Sequence, residues 1–313
     1  MQIITITLNP AIDQTVTVEH LVPGTVHRAT SVRQNAGGKG INVASCLADY
    51  GLTPEVHGLL GEENTASFDT LFAEKGITDR LLRIPGATRV NLKIVDSEGT
   101  TDINLTGPHI AGERIEEIAA GAEAIAGADT LAVLSGSLPP GCPADAWSAM
   151  TRRLKAAGAR VLLDTSGAPL TTALNGDVLP DIIKPNRDEL ADWSGEALPE
   201  MSDIVRVATR LNERGIMLVV VSMGSEGALF LSVEGAFIAR LKAEHITSTV
   251  GAGDAMVAGL AAALAGRAGP EQMARMATAF AVGKLGLPGP ALPDQDTLRR
   301  LAADVTITEL SNS

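Results

Sequence analysis

The sequence predicts an α/β protein: a doubly wound, mostly parallel sheet held between two layers of helices, with a smaller sheet standing off it. Three observations carry this. Short runs of branched apolar residues alternate with longer stretches of helical period, those runs are apolar at nearly every position, and two other stretches alternate polar with apolar instead. A strand covered on both faces reads as a continuous apolar run, whereas a strand with one wet face alternates.

The elements follow in order. Met1–Leu8 is a first strand that alternates and lacks the basic region and long apolar run of a signal peptide. Gln14–Glu19 and Arg89–Asp96 have period two, the latter reaching Thr101–Leu105 through a Ser97-Glu98-Gly99 turn. These stretches define a small antiparallel sheet, set apart as a lid (about 12–36 and 88–107) or a dimer platform; edge strands of the main sheet are the other reading. The repeating core comes next: strand Thr130–Ser135, a helix over Asp145–Ala157, strand Arg160–Asp164, strand Ile182–Lys184, a helix over Met201–Arg214 and strand Met217–Ser222. Strand–helix alternation of this kind, without repeats or low-complexity linkers, gives one domain over 1–313. In such sheets ligands bind outside the carboxyl ends of the strands.

Composition narrows the function. A net charge of -12 argues against nucleic acid as the main partner, and no apolar run reaches the roughly 20 residues of a membrane span. Cys46 and Cys142 are too few for a disulfide framework, so a reducing, cytoplasmic setting is the default. The five histidines have no metal-ligand spacing.

The chemistry concentrates in five segments. Ser248-Thr249-Val250-Gly251-Ala252-Gly253-Asp254 opens a helix, where unpaired N–H groups and the positive end of the helix dipole attract anions. Gly251 and Gly253 allow close approach, and a carboxylate at Asp254 suits such a place only if it takes a proton; a Gly-rich turn with Asp as an ordinary cap is the alternative. Asn35-Ala36-Gly37-Gly38-Lys39-Gly40-Ile41-Asn42 also precedes a helix, with Lys39 as a point charge and Asn42 as a donor and acceptor for hydroxyls. It completes neither a dinucleotide fingerprint nor a P-loop. Asn186 and Glu189, in Lys184-Pro185-Asn186-Arg187-Asp188-Glu189, sit three apart and either position magnesium through its waters or form a capping box. Asp13 ends the first strand region and could accept from vicinal hydroxyls, and Arg89 could supply a second cation.

Together these segments resemble the ribokinase-like sugar kinases, whose two signatures appear as Gly37–Ala44 and Val250–Asp254. The resemblance spans nearly the whole chain and, within the family, is nearest to the 1-phosphofructokinase branch, with tagatose-6-phosphate kinases as the closest competitors. It implies a ribokinase-like fold and ATP-dependent phosphorylation of a ketohexose phosphate, fructose 1-phosphate first among them, with ATP and Mg2+ required. By the same resemblance Asp254 is the base and the Gly251-Ala252-Gly253 backbone the anion hole. Lys39 and Arg89 would hold the substrate phosphate, with Gly38 beside them and Asp13, Asn42 and Ser137 on sugar hydroxyls. Asn186 and Glu189 would order magnesium, and Lys184, Ser222 and Gly224 would line the nucleotide side. Phe280–Gly286 stands where the family covers adenine and departs from its alanine-rich pattern. The lid strands imply a possible homodimer. A tagatose 6-phosphate or fructose 6-phosphate kinase, and a sensor that kept the fold without catalysis, are the rival readings; retention of Asp254 between its glycines speaks against the sensor.

Overall fold

A computed structural model, in which residues 1–310 are described, contains two sheets. The larger has ten strands, in the order Thr306–Leu310, Gly235–Arg240, Ala228–Ser232, Leu218–Ser222, Ile182–Ile183, Arg160–Asp164, Thr130–Ser135, Gln2–Thr7, Glu55–Gly61 and Thr78–Ile84. Every neighbouring pair from Leu218–Ser222 to Thr78–Ile84 is parallel. The three strands beyond Leu218–Ser222 complete one edge as antiparallel neighbours.

Apolar residues at successive positions give each central strand two buried faces. Ala132 and Leu134 pack into one cluster with Trp147, Leu154, Val207 and Leu211, while Leu131 and Val133 pack into another with Val43, Leu260, Phe280 and Leu298. Each set draws on different helices, so the sheet is the middle of three layers. The helices expected around 145–157 and 201–214 are Ala146–Ala156 and Met201–Glu213. Among the described residues no helix is long and apolar enough to cross a membrane.

The smaller sheet orders Ser31–Gly37, Ala11–Thr17, Val90–Val95 and Thr100–Asn104. It is separate from the main sheet, as one sequence reading had it, but it is not purely antiparallel. Its two outer pairs are antiparallel and its central pair, Ala11–Thr17 with Val90–Val95, is parallel. Each central strand follows a parallel strand of the main sheet, Gln2–Thr7 and Thr78–Ile84, and leaves by the same carboxyl-end side. They therefore run outward together. Alternation in the sequence reports a wet face and carries no information about direction.

Candidate active site

A cleft of about 730 Å³ lies between the smaller sheet and the loops and helix starts of the main body. Asp13, Gly38, Lys39, Asn42, Arg89, Gly251 and Asp254, all singled out in the sequence, border it.

Its floor is the first turn of helix Ala252–Ala265. Gly251 precedes that helix in the left-handed region (φ 83), which a residue with a Cβ adopts only under strain. The first i to i−4 bond runs from Ala255 N to Gly251 O (2.9 Å), so the N–H groups of Gly253 and Asp254 stand ahead of the ladder. Asp254 is only 7% exposed, and Asn42 donates from Nδ2 to its Oδ2 at 2.8 Å. Burial pushes the Asp254 carboxyl up to about 6, against the opposing pull of Lys39, the Asn42 hydrogen bond and Lys184. A carboxylate so placed can accept a proton near neutral pH and still be ionised beforehand.

Behind Asp254 sits a residue to which sequence reasoning gave no role. Asp164, the last residue of strand Arg160–Asp164, is buried and receives Lys39 Nζ at 3.1 Å and Lys184 Nζ at 3.3 Å on the same oxygen. Burial opposes its charge, but Lys184 and Lys39 outweigh that and hold its carboxyl below the usual range. Lys39, expected to hold the sugar's phosphate, is thus already paired, and Asp164 and Asp254 raise its pKa despite its burial. A Cβ on Gly253 would lie 3.5 Å from Lys184 Nζ, an ordinary contact, which places that ammonium beside the helix start. The signal for Asp164 was available: a carboxylate closing an apolar strand on the ligand side of a parallel sheet.

The smaller sheet forms the wall. Its pairing places Asn35, Asp13, Asn91 and Asn104 in one row across all four strands, and all four border the cleft. Asn91 Nδ2 donates to Asp13 Oδ1 at 2.9 Å, and burial raises the Asp13 pKa in spite of it. Arg89 is largely committed to the backbone: it donates to Asn9 O (3.0 Å), Pro10 O (3.3 Å) and Leu105 O (2.7 Å), and to Asn91 Oδ1 (3.3 Å). It clips the root of the small sheet.

Of the remaining sequence-derived residues, Lys284 borders the cleft and the others lie outside its lining. Ser137 is exposed and accepts from Asn9 Nδ2 at 3.1 Å. Asn186 and Glu189 do form a capping box, with Glu189 N donating to Asn186 Oδ1 (2.7 Å) and Asn186 N to Glu189 Oε2 (2.8 Å). Ser222 bridges to Asn186, and Gly224 opens the short turn Gly224–Glu226 just beyond it. Phe280 and Lys284 are buried in helix Pro270–Leu285, where Phe280 packs edge-on against Tyr50 and Lys284 Nζ donates to Leu287 O at 2.9 Å.

A parallel sheet with a polar cleft under a second, smaller sheet is the architecture of a carbohydrate kinase; the crystal structure of phosphofructokinase-2 from Escherichia coli in complex with potassium superposes with a TM-score of 0.90 at 27% identity, covering 96% of this chain and 98% of that one. The chain belongs to the pfkB family: the family profile, described as pfkB family carbohydrate kinase, matches residues 6–297. Among curated relatives, 1-phosphofructokinase from Xanthomonas campestris pv. campestris is 51% identical over 290 residues (91% of each chain). The 1-phosphofructokinase from Rhodobacter capsulatus is 44% identical over 313 residues, covering 99% of this chain and 98% of the relative.

Proposed function

We infer that this chain transfers the γ-phosphoryl group of ATP to fructose 1-phosphate, giving fructose 1,6-bisphosphate and ADP. The observation that carries this is Asp254, a buried carboxylate with a pKa of about 6 beside unpaired N–H groups at a helix start. The names of the relatives above choose the sugar.

The sugar lies on the polar row of the smaller sheet, its hydroxyls on Asp13 and Asn42, and its free hydroxymethyl group reaches Asp254. Asp254 accepts the hydroxyl proton as that oxygen bonds to the γ phosphorus, and the bond from phosphorus to the β,γ-bridging oxygen breaks with its electron pair leaving on ADP. Charge on the migrating phosphoryl group meets the Gly251-Ala252-Gly253 backbone, with Lys184 and Lys39 close by. Asp164 keeps those two ammonium groups in place before substrate arrives, so most of the acceleration comes from fixed geometry and charge.

Lys184, Ser222 and Gly224 line the nucleotide side, along the carboxyl ends of adjacent strands. For magnesium, the capping box occupies one oxygen of Asn186 and one of Glu189, leaving the second Glu189 oxygen to meet a hydrated ion. Among the described residues no group of three His, Cys, Asp or Glu could hold a metal. Such a donor set fits magnesium that keeps its waters and takes phosphate oxygens as ligands. Bound there, the ion would neutralise charge on the nucleotide phosphates. The smaller sheet acts as a lid, and its outer face, with Val32 and Ile103 about half exposed, suits a homodimer.

The test is ADP release with fructose 1-phosphate, fructose 6-phosphate and tagatose 6-phosphate. Fructose 1-phosphate should give the highest kcat/KM by at least an order of magnitude. A preference for either competitor would overturn the sugar assignment, and no release with any would overturn the kinase.

A further inference from the structure

Lys284 is a buried cation that no step above uses. It is 2% exposed in the last turn of helix Pro270–Leu285, and it borders the cleft together with Gly251 and Asp254. A Cβ on Gly251 would lie 3.4 Å from Lys284 Cε, so the side chain runs along the turn that opens helix Ala252–Ala265. The segment leading into that turn hangs on the residues just after Lys284. Thr247 N and Ser248 N donate to Leu285 O (2.7 and 3.2 Å), and Thr247 Oγ1 donates to Gly286 O (3.2 Å).

The ammonium is poorly matched where it stands. Among the described residues its one hydrogen bond goes to Leu287 O at 2.9 Å, and no carboxylate lies within ion-pair distance. Burial lowers its pKa, with Lys93 adding to the effect, and the opposing pulls of Cys46 and Asp254 do not restore it. The end of its own helix favours a cation, but the start of helix Ala252–Ala265, which it flanks, disfavours one. A positive charge buried beside the positive end of a helix is destabilising unless an anion joins them. On the reading of this cleft as a kinase site, the anion that arrives there is the phosphoryl group in transit.

We propose that Lys284 sets the charge of the anion hole: lying behind the Gly251 turn, its ammonium draws negative charge onto the Gly251-Ala252-Gly253 backbone and so stabilises the migrating phosphoryl group without touching it. Lys284 acts through the turn and is therefore a positioning residue. It differs from Lys39 and Lys184, whose charges Asp164 already balances. This deepens the kinase reading and rests on it.

Lys284→Met and Lys284→Gln test it, the second keeping a donor for Leu287 O while removing the charge. Both should lower kcat about 10- to 100-fold, the effect of removing one unit charge several ångströms from the reacting group, with KM for ATP and fructose 1-phosphate little changed. Thermal melts should show Lys284→Met to be as stable as wild type or more so, because a buried charge without a charged partner is gone. Full kcat in both variants would overturn the proposal. So would a loss of kcat in Lys284→Met that Lys284→Gln restores, since the residue would then be a cap for Leu287 O. A further measurement needs no turnover: calorimetric binding of magnesium ADP with aluminium fluoride, an anionic mimic of the phosphoryl group in transit. Lys284→Met should weaken that binding about 10- to 100-fold while leaving the affinity for ADP alone unchanged. Should the wild type phosphorylate none of the three sugar phosphates, the kinase reading falls by itself, and this binding decides. A mimic held more weakly by the variant supports the anion-hole role, and equal or absent binding overturns it.

Discussion

Asn42 and Asp254, 212 residues apart in sequence, are joined by a 2.8 Å hydrogen bond from Nδ2 to Oδ2, which locks the first turns of two helices together at the cleft floor. The bond favours the ionised carboxylate, whereas burial favours the neutral one and prevails. Asp254 can act as a base only when ionised, so kcat/KM should fall about tenfold per pH unit below about 6. Asn42→Leu removes a donor to the anion. That raises the Asp254 pKa, so the acid limb should move to higher pH. A pH–rate profile checks this, and a limb that stayed in place would separate it from Asp254.

Asp254→Asn keeps the shape of the side chain and the helix start while removing the proton acceptor. Turnover should drop by about 10²- to 10⁴-fold, the usual contribution of a positioned base. ATP and sugar-phosphate affinity, measured by calorimetry, should change little. Near-normal kcat would leave the buried carboxylate without its assigned role.

Much of this site is legible in the sequence because its parts are local. The Gly251–Asp254 helix start and the Gly38–Asn42 helix start each announce themselves through glycine, a polar residue and an apolar helix behind them. The capping box at Asn186 and Glu189 is read from a spacing of three. What the chain order hides is pairing at a distance. Asp164 looked like one polar strand end among several until the fold brought Lys39 and Lys184 onto one of its oxygens. Lys284 looks like the last basic residue of an apolar helix until the fold sets it against Gly251. The parallel centre of the smaller sheet was hidden for the same reason, since it depends on where two strands leave the larger one.

Asp164 is the charge on which two lysines rest, and its removal should be costly. Asp164→Asn leaves Lys184, 5% exposed, without a charged partner, and breaking a buried pair in this way costs about 3–5 kcal/mol. The Asp164 pKa is lowered on folding, so its contribution is complete above the unfolded carboxyl value of about 3.9 and is lost as pH falls through the folded value. Urea melts should therefore show a large gap between wild type and variant at pH 7 that narrows in acid. A constant gap would mean that the loss is one of packing and not of charge.

Gly259, one turn and more beyond Asp254 on the same helix, faces the backbone of helix Pro270–Leu285. A Cβ there would lie 2.7 Å from Ala277 Cα and 2.9 Å from Met276 O, and neither atom can swing aside as a flexible side chain could. Gly259→Ala should therefore force the two helices apart and cost about 1–3 kcal/mol by overpacking. Because the displaced helix begins at the anion-binding turn, kcat should also fall, by up to about 10²-fold for an ångström of misplacement. Gly121, in helix Gly112–Glu123, has nothing within 4 Å of its Cβ position and serves as the control. Gly121→Ala should gain about 0.4–1 kcal/mol by restricting the unfolded chain, with kinetics unchanged. Thermal melts and kcat measured on both variants separate the two effects, and a Gly259→Ala protein as stable and active as wild type would show that close helix contact is not what positions Asp254.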